Sequence, residues 1–266
     1  MNPVEIVEGD SPLILGLPHT GTHVPDRIAV RLNPRGRLLT DTDWHIHTLY
    51  DGLVSGATSV RATFHRYVID ANRDPTGDSL YPGQNTTGLC PQTDFDGEPI
   101  WKDGEEAKAD EIAERAATFH SAYHSALGEQ VERIRAKHGV ALLYDCHSIR
   151  SLIPFLFDGR LPDFNIGTNG GTTCSPAIEA AAVDICTRAE GYTSVLNGRF
   201  KGGWTTRHYG RPERGVHAIQ MELAQSTHLV SETPPFDYSP GRAERLRPHL
   251  ATLLSRIERL ALDGAL

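Results

Sequence analysis

The chain lacks the marks of a membrane protein. No apolar run approaches the ~20 residues that cross a bilayer, and the N-terminus has neither the basic nor the apolar region of a signal peptide. A cytoplasmic protein with no membrane partner is therefore expected. Cysteine is scarce: Cys90, Cys146, Cys174 and Cys186 show no C-x-x-C spacing and too little density for a disulfide framework, so reduced thiols are expected. Basic residues are also short, with 26 Lys and Arg against 34 Asp and Glu for a net charge of −8. That balance argues against nucleic acid as a main partner, while leaving room for a small anionic ligand. No internal repeat is visible.

Histidine, by contrast, is plentiful: thirteen in 266 residues, enough to justify a search for a metal site. The length allows one large α/β domain or two small ones, and one domain over residues 1–266 is expected. The sequence alone does not decide between a monomer and a homodimer.

The segment Val140–Ser148 organises the reading. Its four apolar residues fit a strand buried on both faces, as in the middle of a mostly parallel sheet, and Asp145, Cys146, His147 and Ser148 then fall at its carboxyl end. Ligands of open α/β sheets bind at that edge. Ser11–Leu17 reads as another buried strand, followed by a tight loop carrying His19. Two histidines at two strand ends could converge on one ion, and zinc suits such ligands. Residues 40–44 look like a helix start, where Asp43 either complements the helix dipole or supplies a carboxylate to complete the set, leaving a fourth position open for water. For His19 and His147 the structural alternatives are a turn histidine and a core histidine.

Thr58–Arg61 and Tyr67–Asp70 suggest two strands. The Asn72–Arg73 pair at the second strand's end offers an amide and a bidentate guanidinium for a carboxylate, or else a structural ion pair with Asp70 or Asp74. Residues 76–104 form a long irregular loop of the functional kind. Glu105–Lys137 is a helix with one apolar stripe. On it, His120 and His124 have zinc-helix spacing, but Ser121 replaces the glutamate of H-E-x-x-H. Helices follow over Pro176–Glu190 and Ala243–Leu262, with a strand His217–Leu223 between them. Glu222 on that strand is a carboxylate that cannot easily be solvated. Arg150 and Arg207 also flank strand ends and are candidate anion binders.

Taken together, Pro18-His19-Thr20-Gly21, Asp41-Thr42-Asp43-Trp44, Arg66-Tyr67-Val68-Ile69-Asp70-Ala71-Asn72-Arg73, Asp145-Cys146-His147-Ser148, Asn197-Gly198-Arg199-Phe200-Lys201-Gly202-Gly203 and Thr206-Arg207-His208-Tyr209-Gly210 resemble, in order, the motifs of the N-formylglutamate amidohydrolase (deformylase) family. That family is distantly similar to zinc carboxypeptidases and aspartoacylase. The resemblance implies an α/β fold with a central mixed, mostly parallel sheet flanked by helices. It implies hydrolysis of N-formyl-L-glutamate to formate and L-glutamate, the closing step of one histidine-degradation route. It makes His19 and His147 metal ligands, with zinc the expected ion. It makes Glu222 the general base and Asn72 and Arg73 the substrate-carboxylate binders; Arg66, six residues before Asn72, is the candidate oxyanion partner, and Arg150 and Arg207 at strand ends are candidate carboxylate binders beside them. The distant relatives carry H-x-x-E where this chain has His19 and Thr22, so the acidic ligand comes from elsewhere: Asp43, with His23 as the substitute. A deacylase of another N-acyl acidic amino acid, and a non-catalytic binding protein on the same fold, are the alternatives.

Overall fold

The computed structural model describes residues 2–80 and 83–266; Tyr81 and Pro82, inside the expected long loop, lie outside the described residues. Among the described residues, seven strands form one mixed sheet in the order β1-β3-β2-β4-β7-β5-β6: β1 Val4–Val7, β2 Leu13–Leu17, β3 Thr58–Ala62, β4 Ala141–Ile149, β5 Phe164–Gly167, β6 Ser194–Leu196 and β7 Val216–Ala224. The central strands β3, β2, β4 and β7 are parallel, whereas β1 on β3 and β5 on β7 are antiparallel. Every residue of β2, β4 and β7 is buried, as their near-continuous apolar runs require when helices cover both faces of a parallel sheet.

One face packs on α5 (Pro176–Thr187) and α7 (Pro240–Leu262), through Leu142, Tyr144 and Cys146 of β4 and Ile219, Met221 and Leu223 of β7. The other face receives Ala141, Leu143 and Ala218, which pack on Tyr123, Leu127, Val131 and Ile134 of α4 (Ser121–His138). Side chains alternate along a strand, so Asp145 and His147 continue this second face beyond the part that α4 covers. The site therefore sits where the apolar cover stops.

Several elements differ from the sequence expectation. Tyr67–Asp70 is not a strand but a buried turn segment, its apolar residues held under α3 (Ala109–Arg115) and α4 without sheet partners. The expected Glu105–Lys137 helix begins four residues later and contains a π-helical turn at Ala116–His120. Asp43 lies in the turn before α2 (Ile46–Tyr50), not in its first helical turn. Strands β1, β5 and β6, and the helices α1 (Asp26–Ala29) and α6 (Trp204–Tyr209), come from stretches too short or too polar to show periodicity. No helix among the described residues is long and apolar enough to cross a membrane.

Leu253 of α7 is fully buried against the sheet face away from the site. Leu253→Ala should cost about 2–5 kcal/mol of stability, seen as a lower urea midpoint with an unchanged slope. A midpoint shift near zero would show that α7 does not cover the core as described.

Candidate metal centre and active site

Strand register assembles the site. In the parallel ladder of β4 and β7, His147 stands opposite Glu222 and Asp145 opposite Gln220, so four polar side chains project from one face of neighbouring strands. His19 arrives just past the end of β2, the other neighbour of β4. The backbone N–H of Asp43 donates to the His19 carbonyl at 3.0 Å, which pins the 41–44 turn against that loop. As a result one ligand atom each from His19, Asp43 and His147 lies within 4.8 Å of the others.

The contacts within this trio fit a cation. The Nδ1 atoms of His19 and His147 are 3.2 Å apart, and Asp43 Oδ2 is 3.1 Å from His147 Nδ1 and 3.7 Å from His19 Nδ1. Behind each ring, a carboxylate faces the other nitrogen: Asp70 Oδ1 at 2.7 Å from His19 Nε2, and Asp145 Oδ1 at 3.1 Å from His147 Nε2. Asp70 in that position holds the proton of the His19 ring on Nε2 and aims its Nδ1 lone pair forward, whereas His147 Nε2 meets Asp145 at ion-pair range and the Asn72 amide. Two Nδ1 atoms at contact distance require a proton or a metal ion between them. Four buried carboxylates, Asp43, Asp70, Asp145 and Glu222, also converge here against the buried guanidinium of Arg66. Buried charge in excess demands a partner, and a divalent ion supplies one.

The protonation preferences follow from the same contacts. Burial pushes the Glu222 carboxyl up to about 8, with Asp43 and Asp145 adding to the rise and His147 and Arg66 opposing it. Burial would raise Asp43 as well, but the hydrogen bond with His147 and the nearby His19 ring prevail and hold it below the ordinary carboxylate range. Gln220 links Glu222 to the loop before α6: its Nε2 donates to Glu222 Oε2 at 3.0 Å and its Oε1 accepts from the Gly203 N–H at 2.6 Å.

A partly enclosed cleft is lined by His19, Arg66, Asn72, Arg73, His147, Gln220 and Glu222, together with Arg199, Phe200, Phe95 and Leu156. Arg66 stacks over the Phe95 ring at 4.8 Å and donates to Asp70 Oδ2 at 2.9 Å. Asn72 Nδ2 is 3.2 Å from His147 Nε2, and its Oδ1 accepts from the Thr205 N–H at 2.8 Å. Arg73 donates to the carbonyl and the hydroxyl of Thr87 at 2.9 and 3.1 Å, while Asp70 is 3.8 Å away. Its main hold is thus the long loop, not an ion pair.

Two expected binders lie outside this lining. Arg150 is turned to Asp96 at 3.1 Å and to Asp41 at 4.0 Å, and Arg207 donates to the carbonyl of Gly202 at 2.9 Å. His23 forms a lone bridge with Phe64 and is not one of the three clustered ligands. His120 and His124 are also outside the cluster: their Nε2 atoms lie 3.0 Å from the Arg73 carbonyl and 2.7 Å from the Ala71 carbonyl. Conversely, Asp70, Gln220, Gly203 and Arg199 carry parts that sequence reasoning did not assign. Period-two spacing from Glu222 could have flagged Gln220, which shares its face; Arg199 stood in a motif with no role attached.

The comparisons agree with this geometry. The family model for N-formylglutamate amidohydrolase matches residues 11–229. The N-formylglutamate deformylase of Pseudomonas aeruginosa is 47% identical over 250 residues, which cover 94% of this chain and 93% of that protein. That of Pseudomonas putida is 45% identical over 251 residues, with the same coverages. The crystal structure of N-formylglutamate amidohydrolase from Ralstonia eutropha JMP134 superposes with a TM-score of 0.81 at 26% identity, over 99% of this chain and 100% of that one.

Loss of either rear carboxylate should loosen the trio without removing a ligand, so Asp70→Asn and Asp145→Asn should each weaken metal binding by about 10–100-fold. Titration with a chromogenic chelator measures this, and unchanged affinity in both variants would remove them from the centre. A Cβ on Gly203 would stand 2.3 Å from Asn72 Nδ2. Gly203→Ala should therefore displace Asn72 and weaken substrate binding while the metal content and the thermal midpoint stay near wild type.

Proposed function

The chain belongs to the N-formylglutamate amidohydrolase family, and on that premise we propose that it hydrolyses N-formyl-L-glutamate to formate and L-glutamate. The observation that carries the reading is the cross-strand pair: Glu222 stands opposite His147, in one cleft with His19 and the Asn72–Arg73 pair, and both histidines cluster with Asp43. A binding protein on this fold would gain nothing from keeping a buried carboxylate there.

A divalent ion held by His19, Asp43 and His147, zinc in this proposal, would bring the pKa of a water toward ~7 and polarise the formyl oxygen. Glu222 takes the proton from the attacking water. It then returns that proton to the nitrogen of the leaving glutamate as the C–N bond breaks. Arg66, fixed by Asp70 and by stacking on Phe95, is the donor for the charge that develops on the formyl oxygen. Asn72 and Arg73 bind the α-carboxylate and so orient the amide beside Glu222. The products balance: water supplies the hydroxyl of formic acid and the hydrogen of the free amine.

Purified protein supplied with zinc should release formate and L-glutamate in equal amounts from N-formyl-L-glutamate; a chelator should stop the release and added metal restore it. Absence of formate under metal-replete conditions would overturn the reading, and faster release from an N-acetyl or other N-acyl acidic amino acid would move it to a different deacylase. Glu222→Gln keeps the side-chain shape and loses the proton acceptor, so kcat should fall by ~10²-fold or more with metal content unchanged. Wild-type turnover in that variant would assign the base elsewhere.

A further inference from the structure

N-formylglutamate carries two carboxylates, and the cleft must provide for both. Asn72 and Arg73 serve one of them. Arg150 and Arg207 lie outside the lining, so the other guanidiniums in it are Arg66, at the trio, and Arg199.

Arg73 and Arg199 grip the same stretch of the long loop. Arg73 Nε donates to the Thr87 carbonyl at 2.9 Å, and Arg199 Nη2 donates to the Asn85 carbonyl at 2.8 Å. Carbonyls two residues apart are separated by at most roughly 7 Å, so the two cations hold one short stretch of the same wall. The α- and side-chain carboxylate carbons of glutamate are four bonds apart, about 5 Å when extended. The order along the wall is also fixed. Asn72 touches His147, so the Asn72–Arg73 end is next to the reacting amide, whereas Arg199 Nε is anchored at 3.0 Å on Leu156 of the 150–163 loop. Phe95, Leu156 and Phe200 beside it lower the local dielectric, which strengthens a charge-assisted contact.

We propose that Arg199 is the specificity-determining residue of the cleft: it receives the side-chain carboxylate of an N-acyl acidic amino acid while Asn72 and Arg73 hold the α-carboxylate. This rests on the hydrolase reading above and names the part of the site that distinguishes a dicarboxylate from a monocarboxylate. It also ties substrate charge to the two loops over the cleft, because Asn85 Nδ2 donates to the Phe155 carbonyl at 2.8 Å beside the Arg199 anchors.

The experiment compares N-formyl-L-glutamate with N-formyl-L-glutamine, which lacks only the side-chain charge, in wild type, Arg199→Gln and Arg199→Lys, all loaded with metal. Arg199→Gln should lower kcat/KM for formylglutamate by roughly 30-fold or more, mostly through KM, and change formylglutamine by less than about 3-fold. Arg199→Lys keeps a point charge without the fork and should retain part of the preference. Glutarate, a dicarboxylate with no scissile amide, should inhibit wild type far better than butyrate and lose that advantage in Arg199→Gln. A preference that survives in Arg199→Gln, or equal losses on both substrates in both variants, overturns the role of Arg199. Wild type that shows no preference for formylglutamate, or does not hydrolyse it, overturns the underlying reading instead.

Discussion

Nine consecutive residue pairs join β4 to β7 in parallel, from Ala141 opposite Val216 to Ile149 opposite Ala224, and the site depends on that register. Side chains on a strand alternate between faces, so a slip of one residue would send Glu222 to the α5–α7 side and bury Met221 in the cleft. The register is secured from both sides of the sheet. Tyr144, Cys146, Ile219 and Met221 fill one core, while Ala141, Leu143 and Ala218 fill the other. The catalytic geometry is thus set by apolar packing several residues before the polar ones begin.

On that frame the charges follow a simple order. Asp70 and Asp145 sit behind the histidines, Asp43 sits beside them, and Glu222 stands across the cleft with Gln220 bonded to it. Burial opposes the charge on each of them, and gathered at one point beside two histidines they call for a cation at their centre. Arg66 and the Asn72–Arg73 pair belong to one buried turn. Its backbone is held from outside by His120 and His124, the two histidines with zinc-helix spacing. The π-helical turn that ends at His120 brings this ring to the Arg73 carbonyl.

The parts legible in the sequence were those with strong local signals. The buried runs of β2, β4 and β7, the long helices, and the ends where His19, His147 and Glu222 appear could all be placed from periodicity and from the abrupt change to polar residues. Asp43 was expected in a first helical turn, but its helix starts later and the His19 carbonyl fixes its position instead. Tyr67–Asp70 misled because four residues buried under α3 and α4 have the same composition as a buried strand. Arg150, Arg207 and Arg199 could not be ranked from sequence: all three follow strand ends or turns, and their partners, Asp96, Gly202 and Asn85, are decided by how distant loops meet.

The central claim is that one metal ion held by His19, Asp43 and His147 serves the hydrolysis of a formyl amide beside Glu222. A crystal structure of the zinc-loaded protein with L-glutamate and formate, with anomalous data collected across the zinc edge, tests it most directly. The account predicts one strong anomalous peak within bonding distance of the Nδ1 atoms of His19 and His147 and a carboxylate oxygen of Asp43, with formate next to Glu222. A peak at His120 and His124, or a fully active crystal with no peak at the trio, would contradict it.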